Sequence, residues 1–122
     1  MPEASLYERL GGETQIRAIV TDIVANHHQN PTISPRYRHT KRSDAELIDL
    51  VSDLIGSGTG GPQVYNGMDM RTAHSGMNIN EAEFVAVLDD ILAGLTQHGV
   101  GEHERAELLA IAYGMKEDIV HL

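Results

Sequence analysis

His74 is the residue whose type and setting could do chemistry. It stands in MRTAHSGMNI, residues 70 to 79, near the end of a short helical stretch, with Met70 one turn earlier and Gly76 just beyond. A neutral imidazole so placed can offer one ring nitrogen to an iron atom while the other donates to a nearby carbonyl, which fixes the ring. A lone histidine among apolar neighbours is more often a structural group than a ligand, so the rest of the chain has to decide.

The other candidates thin out quickly. The seven histidines are His27, His28, His39, His74, His98, His103 and His121, and none forms HExxH or a similar ligand pair. His27 and His28 are neighbours and point about 100° apart on a helix, which makes joint capture of one metal difficult. His98, His103 and His121 sit near helix ends among polar residues and read as solvated. The same reading covers Asp89-Asp90 and the Glu102, Glu104, Glu107 set, which fall on polar helix sides. GSGTGG, residues 56 to 61, lacks the lysine of a phosphate loop and reads as a hinge.

Composition narrows the classes further. With no cysteine, disulfides, thiolate metal sites, iron–sulfur clusters and thioether-linked haem are excluded. A formal charge of −9 argues against nucleic acid or an anionic membrane as partner, since both reward clustered Lys and Arg. No apolar run reaches the length of a membrane span and the start, MPEASLYERL, lacks the pattern of a signal peptide, so a cytoplasmic chain is expected. Its 122 residues suit one domain, 1–122, around one core. One phenylalanine and four tyrosines are the only aromatic residues, which leaves an aliphatic core room for a large flat apolar cofactor.

The elements that must position His74 are helical throughout. Ser5 with Glu8 caps a short first helix that stops at Gly11-Gly12. From Glu13, residues Ile16, Ile19, Val20, Ile23 and Val24 share one face of a second helix that Asn30-Pro31 ends, and His27 continues that face. PTISPRYRHTKR, residues 31 to 42, predicts a turn of helix and an exposed corner made locally basic by Arg36, Arg38, Lys41 and Arg42. Ser43 with Glu46 opens a third helix, ending at Gly56, whose inner face carries Leu47, Leu50, Val51, Leu54 and Ile55. A glycine-rich irregular connection then runs to about Met68. Asn80 with Glu83 starts a helix burying Phe84, Val87, Leu88, Ile91, Leu92 and Leu95. After Gly99 and Gly101, a last helix over roughly Glu102–Val120 is expected to bury Leu108, Leu109, Ile111, Ala112, Met115 and Ile119.

A single histidine on a short helix, in an all-α chain poor in rings, fits an axial haem ligand. Arg71 could pair with a haem propionate or be a plain surface arginine; the two readings weigh equally. Three blocks, SLYERLGG at 5 to 12, GTGGPQVYNG at 58 to 67 and MRTAHSGMNI at 70 to 79, together resemble the truncated haemoglobins, specifically group I, over nearly the whole chain. The resemblance implies an all-α, globin-like, two-over-two helical sandwich with the 13–29 and 43–55 helices packed against the last two. It implies haem b held non-covalently, with His74 as proximal iron ligand. It also brings Met70, Arg71, Leu54, Tyr37 and Tyr65 to the cofactor. Where some relatives tether haem through a histidine of the last helix, this chain has Met115, and no tether is expected.

On the opposite face the sequence departs from the family. Group I members commonly carry a Tyr on the second helix and often a Gln on the third; alignment puts Val24 at the first place and Leu47 and Val51 at the third-helix places. Losing a hydrogen bond to the partly negative outer oxygen of bound O₂ costs roughly 1–3 kcal/mol. The expectation is therefore a globin that binds diatomic gases, O₂, CO and NO, against an apolar wall, without a Tyr–Gln network. An NO-dioxygenase or peroxidase-like activity is compatible with the family, but the former needs a stable oxygen complex that this wall disfavours; a reductase is a compatible partner. The alternative is an electron-transfer or redox- or gas-sensing protein in which His27, His28, Tyr37 or His39 closes the sixth position. Of these, His27 reads as a core histidine bonded to a carbonyl rather than as a ligand. A helical interaction module without cofactor is the third reading.

Overall fold

The computed structural model describes residues 4–38 and 42–122. Among these residues seven α-helices follow one another, α1 (Leu6–Arg9), α2 (Gly12–Gln29), α3 (Ser34–Arg38), α4 (Asp44–Gly58), α5 (Met70–His74), α6 (Glu81–Gln97) and α7 (Glu102–Tyr113), then a 3₁₀ turn at Lys116–Asp118. Among the described residues there is no strand, and a lone parallel bridge joins Ile79 to Val120.

The helix starts follow from capping chemistry. Ser43 and Asn80 each accept a hydrogen bond from the backbone N–H of the glutamate three residues on, and that glutamate bonds back, so two orphan donors are satisfied at each end. Ser5 accepts from the Glu8 N–H in the same way. Gly11 and Gly12 adopt φ of 103° and 79°, a left-handed pair that turns the chain from α1 into α2.

Helix α2 is the spine. It packs on α4 along one side and on α6 along another, while α6 packs on α7, giving two pairs of helices laid over each other. Ile16, Ile19, Val20, Ile23 and Val24 form the predicted stripe and are all buried together with Leu95, Val100 and Leu108. At Gly94 a Cβ would lie 2.7 Å from Cγ1 of Ile23, so glycine there is what lets α2 and α6 approach. Phe84, Leu88 and Val120 make a second apolar cluster.

Four expectations need correction. The last helix ends at Tyr113 rather than near Val120: Gly114 caps it, its N–H reaching back to the Ala110 and Ala112 carbonyls. The chain is then drawn into the Ile79–Val120 bridge. Within that helix only Leu108 is buried, and Ile111 is exposed. On α4 the most covered stripe is Ser52 and Gly56, continued by Thr59, one face round from Leu47, Leu50 and Leu54, which are half-buried. Asp90, read as solvated, is buried at 9% exposure, because it lies on the side of α6 that meets α2.

Candidate functional site

Helix α5 carries His74 in one and a half turns. Asp69 caps it, its side chain accepting from the Thr72 N–H at 3.4 Å, a signal the sequence reading passed over. At the other end the Met77 N–H closes onto the His74 carbonyl at 3.1 Å and Gly76 takes φ of 85°. The ring itself is held by its own helix: Nδ1 lies 2.8 Å from the Met70 carbonyl oxygen. A carbonyl can only accept, so Nδ1 carries the proton and Nε2 is left with its lone pair. No described residue hydrogen-bonds Nε2. An imidazole with one nitrogen tied to a carbonyl and the other bare is the arrangement an iron ligand requires.

The apolar side chains of the helices divide into two sorts. Val24 is buried and belongs to the α2 core. Val51 is half-buried and packs on that core. Leu47, Leu50 and Leu54 of α4, Met70 of α5, Leu92 of α6 and Met115 are half-buried but belong to neither apolar cluster. Such side chains keep apolar surface that the helices do not use on one another. A bare Nε2 is the donor that a haem iron takes and uncovered apolar surface suits a porphyrin, so the residue types present fit that group.

The remaining predicted residues lie as follows. Arg71 pairs with Asp118, Nη2 to Oδ1 at 3.3 Å, a partner neither reading of it foresaw. Tyr65 donates its hydroxyl to the Met68 carbonyl at 2.6 Å and packs over Gly67, so it shapes the connection leading to α5. Tyr37 lies in the corner helix α3, its ring stacked on His27 at 5.1 Å between centroids and edge-on to His28 at 5.9 Å. Burial, with a smaller push from the Asp90 charge, raises the Tyr37 hydroxyl to about 12, which keeps it a phenol. His39 and Lys41 lie outside the described residues.

The corner is fastened by polar groups that reach across the fold. His27 is a core histidine, but its partner is a carboxylate and not a carbonyl: Nδ1 sits 2.7 Å from Oδ2 of Asp90. Asn30 donates to both Asp90 oxygens, at 3.2 and 3.3 Å. Burial lowers the His27 pKa, against the opposing pull of Asp90. Arg36 grips Glu83 through both its Nε and Nη2, which raises the guanidinium pKa and lowers that of the carboxylate. His28 bonds Asp44 at 2.8 Å, and His98, expected to be solvated, bonds Asp22 at 2.6 Å. Two surface clefts, of about 440 and 500 Å³, flank Glu81, and neither is lined by His74.

Residues 5–121 match the model of the bacterial-like globin family. The chain belongs to the bacterial-like globins. It is 25% identical over 118 residues to the group 1 truncated haemoglobin of Tetrahymena pyriformis, covering 95% of this chain and 94% of that one. It is 29% identical over 113 residues to that of Synechocystis, covering 89% and 90% respectively. The crystal structure of the Tetrahymena pyriformis truncated haemoglobin in its Fe(III) form superposes with a TM-score of 0.92 at 24% identity, over 98% of this chain and 100% of that one. A 2/2 haemoglobin from Synechococcus with covalently attached haem superposes at 0.87 with 20% identity, over 96% of this chain and 98% of that one. The two-over-two sandwich expected from the three sequence blocks is therefore the fold of this globin. Family membership carries haem binding, and gas binding in general, with it.

Proposed function

We propose that this globin holds haem b without a covalent link, with His74 as the proximal iron ligand, and binds diatomic gases reversibly on the opposite face against a wall of Val24, Leu47 and Val51. The observation that carries the reading is the His74 ring, with Nδ1 fixed on the Met70 carbonyl at 2.8 Å and Nε2 bare. A bound haem supplies one iron coordination position to a gas. The chain's part is to seat the ring, exclude water and set the polarity of the wall. Leu47, Leu54 and Met70 contribute apolar surface, and none of the three wall residues can donate a hydrogen bond. Selectivity among O₂, CO and NO then rests on apolar contact, and retention of O₂ is weak.

An endogenous sixth ligand is the less favoured reading. His27 is committed to Asp90 and stacked under Tyr37, His28 is committed to Asp44, and Tyr37 is held as a phenol, a poor ligand beside a phenolate. These commitments support an open sixth position. Service as a reversible gas binder calls for ferrous iron and hence for a reductase. The test is the optical spectrum of the haem-loaded protein with and without CO: a five-coordinate ferrous form that takes up CO supports the proposal. Sharp low-spin bands before any ligand is added would overturn it in favour of the redox reading.

A further inference from the structure

Helix α5 cannot hold its own place. It has five residues, none of them buried, and isolated helices that short are not stable. The element it packs against most is the 3₁₀ turn at Lys116–Asp118. From there to Leu122 the chain runs beside the segment that follows His74. Asn78 donates its N–H to the Leu122 carbonyl at 2.8 Å, and His121 donates its N–H to the Ile79 carbonyl at 2.8 Å. Ile79 and Val120 face each other in the bridge, buried at 8% and 9% exposure, with Val120 seated on Phe84 and Leu88. Arg71 on α5 itself reaches Asp118.

The backbone at this junction is unusual. Among the described residues, the two non-glycine positions with positive φ are Asn78 at 48° and His121 at 63°, one on each side of the bridge. Asn and His enter the left-handed region more readily than most residues with a Cβ, but the conformation still costs free energy that surrounding contacts offset. Here the enforcing contacts are the two cross-hydrogen bonds and the buried pair.

We propose that residues 116–122 form a proximal strap, which sets the height and tilt of the His74 ring through the junction at Asn78–Ile79. The inference rests on His74 being the iron ligand. The path is short and has no slack: His74 carbonyl to Met77 N–H, then Asn78 and Ile79 to the strap, with Arg71–Asp118 as a second tie one turn back. Asp118, Val120 and His121 are thus positioning residues for the proximal bond, although none touches the cofactor.

The iron–histidine stretching band in the resonance Raman spectrum of the ferrous, ligand-free protein reads that bond directly. His121→Val places a β-branched side chain at positive φ and should shift and broaden the band. His121→Gly keeps the N–H and suits that φ, so it should return the wild-type band. Asp118→Asn, at an exposed position that does not threaten folding, should shift the band in the same direction by less. An unmoved band in both His121→Val and Asp118→Asn overturns the strap; if His121→Val does not accumulate, Asp118→Asn alone decides. A band that survives in His74→Ala overturns the ligand assignment instead, so the two failures are separable. In the haem-free protein, amide exchange at Asn78 and His121 should be slowed relative to unstructured peptide. Exchange there at the unprotected rate would also overturn the proposal.

Discussion

The two sides of the slot are built by different means. Around His74, the bonds that fix the ring on its own helix lie within a few residues of it: the Asp69 cap, the Met70 carbonyl four residues back and the turn at Gly76. The corner that flanks the other side is held by partners far away in sequence, His27 to Asp90 across 63 residues and Arg36 to Glu83 across 47. Short-range bonds fix the rotation of the ring on its helix, whatever places the helix. Long-range construction makes a corner whose shape depends on α2, α3 and α6 staying in register.

The largest effect should come from breaking the local side. His74→Ala removes the nitrogen proposed to bind iron, and the purified variant should retain little haem at a stoichiometry where wild type is saturated, as read from the Soret absorbance after gel filtration. Full retention would remove the basis of the comparison. Next comes the long-range side. Asp90→Ala leaves buried His27 and half-buried Asn30 without their shared acceptor, and an unsatisfied buried donor costs about 1–3 kcal/mol. Urea unfolding should show a loss of that order, with Asp90→Asn losing less because it still accepts from His27. A smaller effect should follow from making the wall polar. Leu47→Gln puts a donor at a half-buried position and should slow O₂ release by about tenfold, the equivalent of one net hydrogen bond of about 1.4 kcal/mol. Stopped-flow displacement of O₂ by CO checks it, and an unchanged rate would mean that Leu47 does not face the gas.

The same division explains what could be read in the sequence. The caps at Ser5, Ser43 and Asn80, the α2 stripe and the His74 motif are all set by neighbours within one or two turns, and each is where the spacing places it. Asp90 was misread because its own helix offers no sign that α2 brings His27 and Asn30 to it. The end of α7 was overrun because the residues after Gly114 keep an apolar spacing, while a bridge to Ile79, distant in sequence, takes the chain elsewhere. On α4 both candidate stripes are plausible inner faces. Small Ser52 and Gly56 take the most covered positions, and Leu47, Leu50 and Leu54 stay half-buried.

The smallest effect separates the buried His27 from the ion-paired Glu83 by pH. Burial holds the folded pKa of His27 below its ordinary 6.5 in spite of Asp90. Below about pH 6.5 the unfolded chain therefore binds a proton at this position more readily than the folded one. Stability from this group is complete above that value and falls as pH drops through the folded pKa. Glu83, lowered chiefly by its bonds from Arg36, contributes in a different window: its stabilisation is intact above its ordinary 4.5 and is lost as pH falls through its still lower folded value. Urea midpoints measured between pH 7.5 and 5 should decline for wild type, by less than the Asp90→Ala loss, and stay flatter for His27→Gln, which keeps a donor toward Asp90 but cannot titrate. Identical slopes for the two proteins would show that the corner's buried histidine does not sense pH. Its pairing with Asp90 would then be a matter of shape alone.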